Sequence, residues 1–263
     1  MEAALRQPGF PEIYENVLVP SIFAPWAHEV IERARPIGPS DRILDLGCGT
    51  GIVARLLHER LGGATRIAGL DANAGMLEMA RRVAPQLQWH EGNAMQLPFA
   101  DASFELVVCQ QMLQFVPDRA AALREVRRVL VPGGRLVLAT WRPRDEQPLY
   151  ETLGTIAERH LGHAVDLRFA LGDPEELRAL LADAGFDDVH VDHVTRIDHF
   201  KEPPVRSAFA ASFDFSGLSD AEREARIAAV LAESGQAVQQ FAVAGGFAAQ
   251  ARANLVTAKA GAR

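Results

Sequence analysis

Basic residues are outnumbered in this sequence. Its 263 residues contain 27 lysines and arginines against 34 aspartates and glutamates, which gives a formal net charge of -7. Because nucleic-acid binding relies on clustered positive charge, this balance argues against nucleic acid as a partner. A small molecule is therefore the expected substrate, and the sequence leaves a homodimer open.

Cysteines and long hydrophobic runs are also scarce. Cys48 and Cys109 are too few for a disulfide framework, which favours a reducing compartment. The longest early apolar stretch, residues 17–27, is broken by Pro20 and Pro25 and has no basic leader before it. It is shorter than the roughly 20 residues needed to span a bilayer. We therefore expect a cytoplasmic protein without membrane anchoring.

Short apolar runs alternate with helical periodicity through most of the chain. Such alternation predicts an α/β fold, in which a doubly wound, mostly parallel seven-stranded sheet carries helices on both faces. Residues 1–24 and 142–172 show little regular pattern, whereas residues 202–243 are alanine-rich and largely helical in pattern, which predicts a helical lid inserted before the last strand. The predicted strands are Arg42–Leu46, Arg66–Leu70, Leu87–His90, Phe104–Cys109, Arg135–Trp141, Val189–Ile197 and Gln250–Lys259.

A glycine-rich loop follows the first predicted strand. The run is Asp45-Leu46-Gly47-Cys48-Gly49-Thr50-Gly51, and it leads directly into a helix. Glycines at this point allow a sharp turn and a close approach of a ligand to exposed N–H groups. Asp71 ends the second strand twenty residues later, where one carboxylate can accept hydrogen bonds from both hydroxyls of a ribose. Together these features predict nucleoside binding.

The spacing of the loop excludes two other nucleotide motifs. It is Gly-x-Gly-x-Gly rather than the Gly-x-Gly-x-x-Gly of dinucleotide-binding proteins, and no Gly-Lys-Ser/Thr follows it. An NAD-dependent oxidoreductase is therefore the less favoured alternative.

Five ordered stretches of the first 142 residues resemble class I S-adenosylmethionine-dependent methyltransferases of the small-molecule, ubiquinone and menaquinone group. The stretches are 43–51, 69–71, 92–99, 104–118 and 129–136. The resemblance implies in-line methyl transfer from S-adenosylmethionine to an O, N or C nucleophile of a small molecule, with S-adenosylhomocysteine as product. A non-catalytic S-adenosylmethionine-binding scaffold on the same fold is the other alternative.

The resemblance also implies the cofactor contacts. The glycine loop would hold the methionyl and adenosyl parts, Asp71 the ribose, and the loop around Asn93 the adenine. Relatives usually carry aspartate where this chain has Asn93, whose amide oxygen can still accept from the adenine amino group. The implied cofactor-binding residues are Tyr14, Asp45, Gly47, Cys48, Gly49, Thr50, Gly51, Asp71, Ala72, Met76, Asn93, Ala94, Met95, Cys109 and Gln110.

The same resemblance divides the chain into regions of one methyltransferase domain, 1–263. Residues 1–40 would cover the cofactor, 41–142 would bind it, and 143–172 with 202–243 would form the substrate lid. Tyr14 would face the sulfonium, where cation–π attraction is worth about 0.5–2 kcal/mol. Gln114, Trp26 and Trp141 are the expected substrate-binding residues.

No catalytic dyad or metal site stands out. His160 and His163 are spaced for one helix face, but no cluster of further ligands completes a metal site, so no metal is expected. Gln114 falls where relatives often carry histidine, and a glutamine cannot remove a proton. The catalytic base therefore stays unassigned. Five residues lie along or just after the sixth predicted strand, where polar residues on an exposed strand face are the favoured interpretation, although one pointing into the cleft could act as a base: His190, Asp192, His193, Asp198 and His199.

Overall fold

A computed structural model of the chain describes residues 9–63, 66–161, 166–205 and 220–261. One sheet with the order β3-β2-β1-β4-β5-β8-β6 forms its centre. The strands are β1 (Arg42–Leu46), β2 (Arg66–Asp71), β3 (Gln88–Glu91), β4 (Phe104–Gln110), β5 (Leu130–Trp141), β6 (Phe186–Phe200), β7 (Ala242–Val243) and β8 (Gly246–Ala260).

The pairing confirms the doubly wound, mostly parallel sheet. Strands β1 to β5 are all parallel, whereas β8 pairs antiparallel with both β5 and β6. The strand count differs by one, because the two-residue β7 forms a hairpin with β8 that is too short to leave an alternating pattern in the sequence.

Helices cover both faces of the sheet. One face is packed by α2 and α3 and the other by α5 and α7, each through fully buried leucine, valine, isoleucine and alanine side chains. The helices are α1 (Phe10–Ile13), α2 (Ala24–Arg33), α3 (Ile52–Arg60), α4 (Ala74–Val83), α5 (Arg119–Val129), α6 (Pro148–Leu161), α7 (Pro174–Asp183) and α8 (Asp220–Ala237). None of the helices within the described ranges is both long and apolar enough to cross a lipid bilayer.

Two segments expected to be irregular are helical. Residues Tyr14–Phe23 form a π-helical run that joins α1 to α2. Its buried Leu18, Val19 and Ile22 lie three and four residues apart, but Pro20 inside the run and the exposed apolar Val17 obscure that pattern in the sequence. Helix α6 buries Leu149, Leu153 and Ile156 at helical spacing. Gly154 lies among them and weakens the helical signal in the sequence because glycine disfavours helix interiors.

The lid expected at residues 202–243 is described only in part. Helix α8 lies between β6 and the final strand, which confirms a helical insertion at this point, and residues 206–219 lie outside the described ranges. His163 lies outside them as well.

Strands β6 and β8 extend past the rest of the sheet. Trp141, the last residue of β5, pairs with Ala253, which pairs in turn with Val194. The remaining residues of β6, to Phe200, therefore project beyond the carboxyl end of β5. A buried apolar group packs here, which we call the edge cluster: Leu18, Ile22, Trp26, Trp141, Leu149, Tyr150, Leu153, Phe200, Val205, Val238, Ala249, Ala251 and Ala253.

Candidate active site

The glycine loop is a tight turn tied to the end of β2. The N–H groups of Gly47 and Cys48 both donate to the carbonyl oxygen of Leu70, at 2.7 and 3.0 Å. The N–H of Gly51 donates to the carbonyl oxygen of Cys48 at 2.8 Å. Gly47, Gly49 and Gly51 have φ angles of +69°, +56° and +86°, a conformation that favours glycine. The loop therefore presents its backbone at the start of α3.

The three glycines face different neighbours. A Cβ at Gly47 would lie 2.1 Å from Cγ of Met112, and one at Gly51 would lie 2.2 Å from the ring of Trp89. Core packing therefore requires both glycines, whatever the loop binds. A Cβ at Gly49 would lie 3.2 Å from the Tyr14 hydroxyl, so this glycine faces the N-terminal segment.

Asp71 links the glycine loop to the next turn. Its Oδ2 accepts a hydrogen bond from the N–H of Gly49 and its Oδ1 accepts one from the N–H of Asn73, both at 2.8 Å. Burial raises the pKa of this carboxyl, and the backbone donors oppose the shift. A carboxylate has about four acceptor positions, so capacity remains for two ligand hydroxyls.

Asp45 is almost fully buried, at 1% exposure, beneath the same loop. Its Oδ2 accepts a hydrogen bond of 3.0 Å from the N–H of Ala54 in the first turn of α3. Burial raises the pKa of Asp45 to about 7, and the charge of Asp71 adds to the rise. The side chain thus holds the helix start in position and is only partly ionised at neutral pH.

The loop after β3 lies beside the end of β2. The N–H of Gly92 donates to the carbonyl oxygen of Asp71 at 3.0 Å. The side-chain oxygen of the exposed Asn93 accepts from the N–H of Met95 at 2.8 Å, which leaves Ala94 and Met95 half-buried at the loop's tip. One acceptor position of the Asn93 oxygen is therefore used within the loop itself.

Helix α4 begins next to this loop. Asn73 caps it, and its side-chain oxygen accepts from the N–H groups of Gly75 and Met76 at 2.9 and 3.2 Å. Met76 is buried at 4% exposure, whereas Ala72 is exposed. Ala72 thus lies in the turn that follows Asp71, and Met76 lies in the first turn of α4.

The N-terminal segment closes over the glycine loop. The Tyr14 ring stacks on Phe23, with 4.7 Å between ring centroids. An ion pair of 2.8 Å joins Glu15 to Arg55 of α3. Burial, followed by the charges of Asp71 and Asp45, raises the pKa of Tyr14 well above its usual value, so its hydroxyl stays protonated.

The carboxyl end of β4 carries buried polar atoms that have no partner. Gln110 donates through Nε2 to the carbonyl oxygen of Phe23 at 2.9 Å, and Gln114 donates to the side chain of Gln111 at 3.4 Å. Within the described chain, Oε1 of Gln110, Nε2 of Gln111 and Oε1 of Gln114 remain unpartnered although buried. Cys109 below them is a thiol, because burial raises its pKa to about 12. Unpartnered buried polar atoms of this kind are expected where water or a polar ligand binds.

Two tryptophans lie beyond these glutamines. The Trp26 ring meets the Trp141 ring edge-on, with centroids 5.3 Å apart. Trp26 is fully buried, and its Nε1 donates a hydrogen bond of 3.2 Å to Oδ1 of Asp198. The indole of Trp26 therefore forms a wall inside the edge cluster rather than an exposed contact.

These residues fit an S-adenosyl nucleoside. Asp71 retains acceptor positions for ribose hydroxyls, and Gly49 leaves a space that Tyr14 closes. The hydroxyl of Thr50 and Oε1 of Gln110 are buried without a partner among the described residues, as expected where a polar ligand binds. Within those residues no group of three or more histidine, cysteine, aspartate or glutamate side chains is arranged to hold a metal ion.

Comparison with known proteins agrees with this assignment. A family described as "Methyltransferase domain" matches residues 44–138. The ubiquinone/menaquinone biosynthesis C-methyltransferase UbiE of Stenotrophomonas maltophilia is 30% identical over 204 residues, which cover 70% of this chain and 80% of that protein. The chain belongs to the class I small-molecule methyltransferase family.

Two further similarities bear on this methyltransferase. The 2-phytyl-1,4-naphtoquinone methyltransferase of Thermosynechococcus vestitus is 35% identical over 162 residues, covering 56% of this chain and 72% of that protein. The YcgJ protein of Bacillus subtilis has a similar fold, with a TM-score of 0.59 at 20% identity over 89% of this chain and 97% of its own. The enzyme is thus an S-adenosylmethionine-dependent methyltransferase by family.

Most of the expected site residues in this methyltransferase converge. The glycine loop, Asp71, the Asn93 loop and Tyr14 surround the carboxyl ends of β1 to β4. The sequence analysis missed Phe23. Its ring stacks on Tyr14, and its carbonyl oxygen accepts the hydrogen bond from Gln110. It also missed Met112, which follows β4 and packs against Gly47 after β1. No sequence motif marks such a contact between the ends of two strands.

Proposed function

We propose that this methyltransferase binds S-adenosylmethionine through the glycine loop and Asp71, and transfers the methyl group to an O, N or C nucleophile of a flat, apolar small molecule. The observation that carries the proposal is the Asp71 carboxylate, held by N–H groups of Gly49 and Asn73 with acceptor positions to spare. It lies at the carboxyl edge of the sheet, where open α/β folds bind ligands.

The cofactor would lie along the residues already described. Tyr14, Asp45 and residues 47–51 would hold its amino acid part, Asp71 and Ala72 the ribose, and Met76 with residues 93–95 the adenine. Cys109 and Gln110 would form the floor beneath the reacting centre. S-adenosylmethionine supplies an electrophilic methyl group on a positively charged sulfur, so the protein needs no covalent intermediate of its own.

The acceptor would bind on the other side of that floor. Gln114, Trp26 and Trp141 would line this side, and the edge cluster that contains the two tryptophans is aromatic and apolar. The names of the relatives point to quinones, which are flat and apolar, and this supports an acceptor of the quinone or quinol type. Unpartnered amide atoms of Gln110 and Gln114 would hydrogen-bond its polar groups.

The chemical task of the protein is alignment and exclusion of water. In-line displacement requires the nucleophile to be held about 3–3.5 Å from the methyl carbon. We propose that residues 1–40 cover the cofactor and that 143–172 with 202–243 enclose the acceptor. We also propose that the protein is cytoplasmic, has no nucleic-acid partner and is a monomer or a homodimer. Gel filtration with light scattering tests the oligomeric state.

Calorimetric titration with S-adenosylhomocysteine, S-adenosylmethionine and NAD in parallel tests the cofactor. We expect micromolar binding of the two sulfur nucleosides and none of NAD. Binding of NAD alone would instead support an oxidoreductase. If the sulfur nucleosides bind but no acceptor in a panel of quinols, phenols and amines gains a methyl group, the scaffold alternative gains support.

A further inference from the structure

A buried carboxyl group lies inside the edge cluster and has no established role. Asp198 is 2% exposed on the part of β6 that extends past the sheet. Its Oδ1 accepts the hydrogen bond from Trp26, whereas its Oδ2 is buried without a partner among the described residues. A buried carboxylate oxygen left without a donor is costly unless a ligand satisfies it.

The other candidate bases on β6 do not share this placement. His190 pairs with Asp188 at 2.9 Å, and His193 contacts Arg142 at 3.2 Å, both at exposed positions. Asp192 is exposed and pairs with Arg33. Successive side chains of β6 point to opposite faces of the sheet. On the face toward α2, the side chains become buried only near the end of the strand, at Asp198.

Few charges act on Asp198 from the elements that surround it. Trp26 faces it from α2, and Tyr150 of α6 interacts with it electrostatically. The mostly buried Arg168 lies over the Tyr150 ring and is bound to Asp166 at 2.8 Å.

Arg196 of the same strand is paired with Glu29 at 2.6 Å. Burial therefore dominates and raises the pKa of Asp198 to about 7, while the hydrogen bond from Trp26 and the charge of Arg196 oppose the rise. A carboxyl group of this kind exchanges protons near neutral pH.

Contacts connect Asp198 to the acceptor side of the site. Trp26 meets Trp141 edge-on at the end of β5, and Phe23, three residues before Trp26, carries the carbonyl oxygen that holds Gln110. Tyr14 and Phe23 pack against the same edge cluster that contains Trp26 and borders Asp198.

We propose that Asp198 is the general base of the methyl transfer, and that the acceptor is a hydroxyl-bearing aromatic molecule whose O–H donates to the free Oδ2. This inference rests on the proposed function and adds to it the acceptor's reacting group. A hydroxyl satisfies the unpartnered oxygen, and an aromatic ring fits the apolar surroundings of Trp26, Trp141 and Tyr150.

The proton and electrons balance as follows. The acceptor O–H bond breaks, its proton moves to Oδ2 of Asp198, and the electron pair stays on the acceptor oxygen. That pair forms the bond to the methyl carbon as the carbon–sulfur bond breaks and returns its pair to sulfur. The negative charge of the Asp198 carboxylate and the positive charge of the sulfonium are neutralised in the same reaction. Asp198 afterwards releases its proton to water.

Asp198→Asn is the decisive variant, because the amide keeps the shape and an acceptor for Trp26 but cannot take a proton. The matched control is Asp192→Asn, which makes the same change on the same strand at an exposed position facing α2. The probes are naphthohydroquinone and its dimethyl ether, which lacks the O–H, both handled without oxygen.

Two measurements are made on each protein. The first is binding of each probe to protein saturated with S-adenosylhomocysteine. We expect the wild type and Asp192→Asn to prefer the hydroquinone at least about tenfold, and Asp198→Asn to lose that preference. The second is kcat/KM against pH, where Asp198→Asn should lose about 100-fold or more at neutral pH together with the acid limb near pH 7.

The outcomes separate this inference from the proposed function. Failure of the wild type to bind S-adenosylhomocysteine overturns the proposed function and, with it, the role of Asp198. Cofactor binding with equal affinity for hydroquinone and ether overturns only the present inference. So does an Asp198→Asn protein that keeps the wild-type preference or pH profile, since Asp198 then only positions Trp26.

Discussion

The indole nitrogen of Trp26 and the carboxyl oxygen of Asp198 are joined by a buried hydrogen bond of 3.2 Å, although the two residues are 172 positions apart. The bond ties α2 to the part of β6 that extends beyond the sheet. The other oxygen of Asp198 is buried without a partner among the described residues, and this is the oxygen to which the proposed acceptor would donate.

Asp198→Asn should change how the free energy of unfolding depends on pH. The pKa of Asp198 is raised from 3.8 to about 7, so its contribution to stability is present below pH 3.8 and is lost as the pH rises through about 7. Relative to wild type, the Asn variant should gain roughly 2–3 kcal/mol between about pH 5 and pH 8. Urea unfolding at both pH values measures this. Parallel curves for Asp198→Asn and the wild type would contradict the raised pKa of Asp198.

Asp71→Ala should weaken S-adenosylmethionine binding by about 1.5–3 kcal/mol, because charge-assisted hydrogen bonds to the ribose are lost. Calorimetric titration measures the change. The alanine also removes the acceptors for the N–H groups of Gly49 and Asn73, so circular dichroism must first show that the variant is folded. Asp101→Ala, which removes an exposed carboxylate paired with Arg128, is the control. Unchanged affinity in Asp71→Ala would refute the ribose assignment.

Gly49→Ala should weaken the free energy of cofactor binding by more than it lowers the free energy of unfolding. The new Cβ would lie 3.2 Å from the Tyr14 hydroxyl, in the space that this segment closes, and the φ of +56° adds a cost of about 1–2 kcal/mol. Gly62→Ala carries a similar φ of +61° with no atom within 4 Å, so it isolates the backbone cost. Thermal unfolding and calorimetry on both variants separate the two effects. Equal affinity in the two variants would show that the loop is only structural.

Arg55→Gln should speed the dissociation of S-adenosylhomocysteine. The ion pair with Glu15 is 2.8 Å long and mostly shielded, with the two side chains 20% and 14% exposed, so it holds the segment that carries Tyr14 over the loop. We expect the off-rate in stopped-flow fluorescence to rise several-fold. Arg82→Gln breaks the more exposed pair with Glu12, and exposed pairs contribute little, so its effect should be small. Identical off-rates in Arg55→Gln and wild type would exclude this tether.

The proposed nucleoside site was largely predictable because its signals are local. The turn from Asp45 to Gly51 needs glycines where φ is positive, and Asp71 must end the next strand, so both appear in the sequence at fixed spacing. Strand alternation likewise predicted the parallel sheet. The wide-turn helix Tyr14–Phe23 was missed because a proline inside it, Pro20, is a signal that normally ends a helix, and the exposed apolar Val17 blurs its buried face.

The fold class and the family follow from local features of the chain, because hydrophobic periodicity and loop glycines act between near neighbours. Packing between distant elements explains why Gly47 and Gly51 cannot carry a side chain against Met112 and Trp89. It also explains why Asp198, and not Asp192 or the strand's histidines, is buried facing Trp26. Both outcomes depend on which elements pack together. Burial and the pKa of a carboxyl group are properties of that packing, and five candidate residues on one strand look alike until it is known.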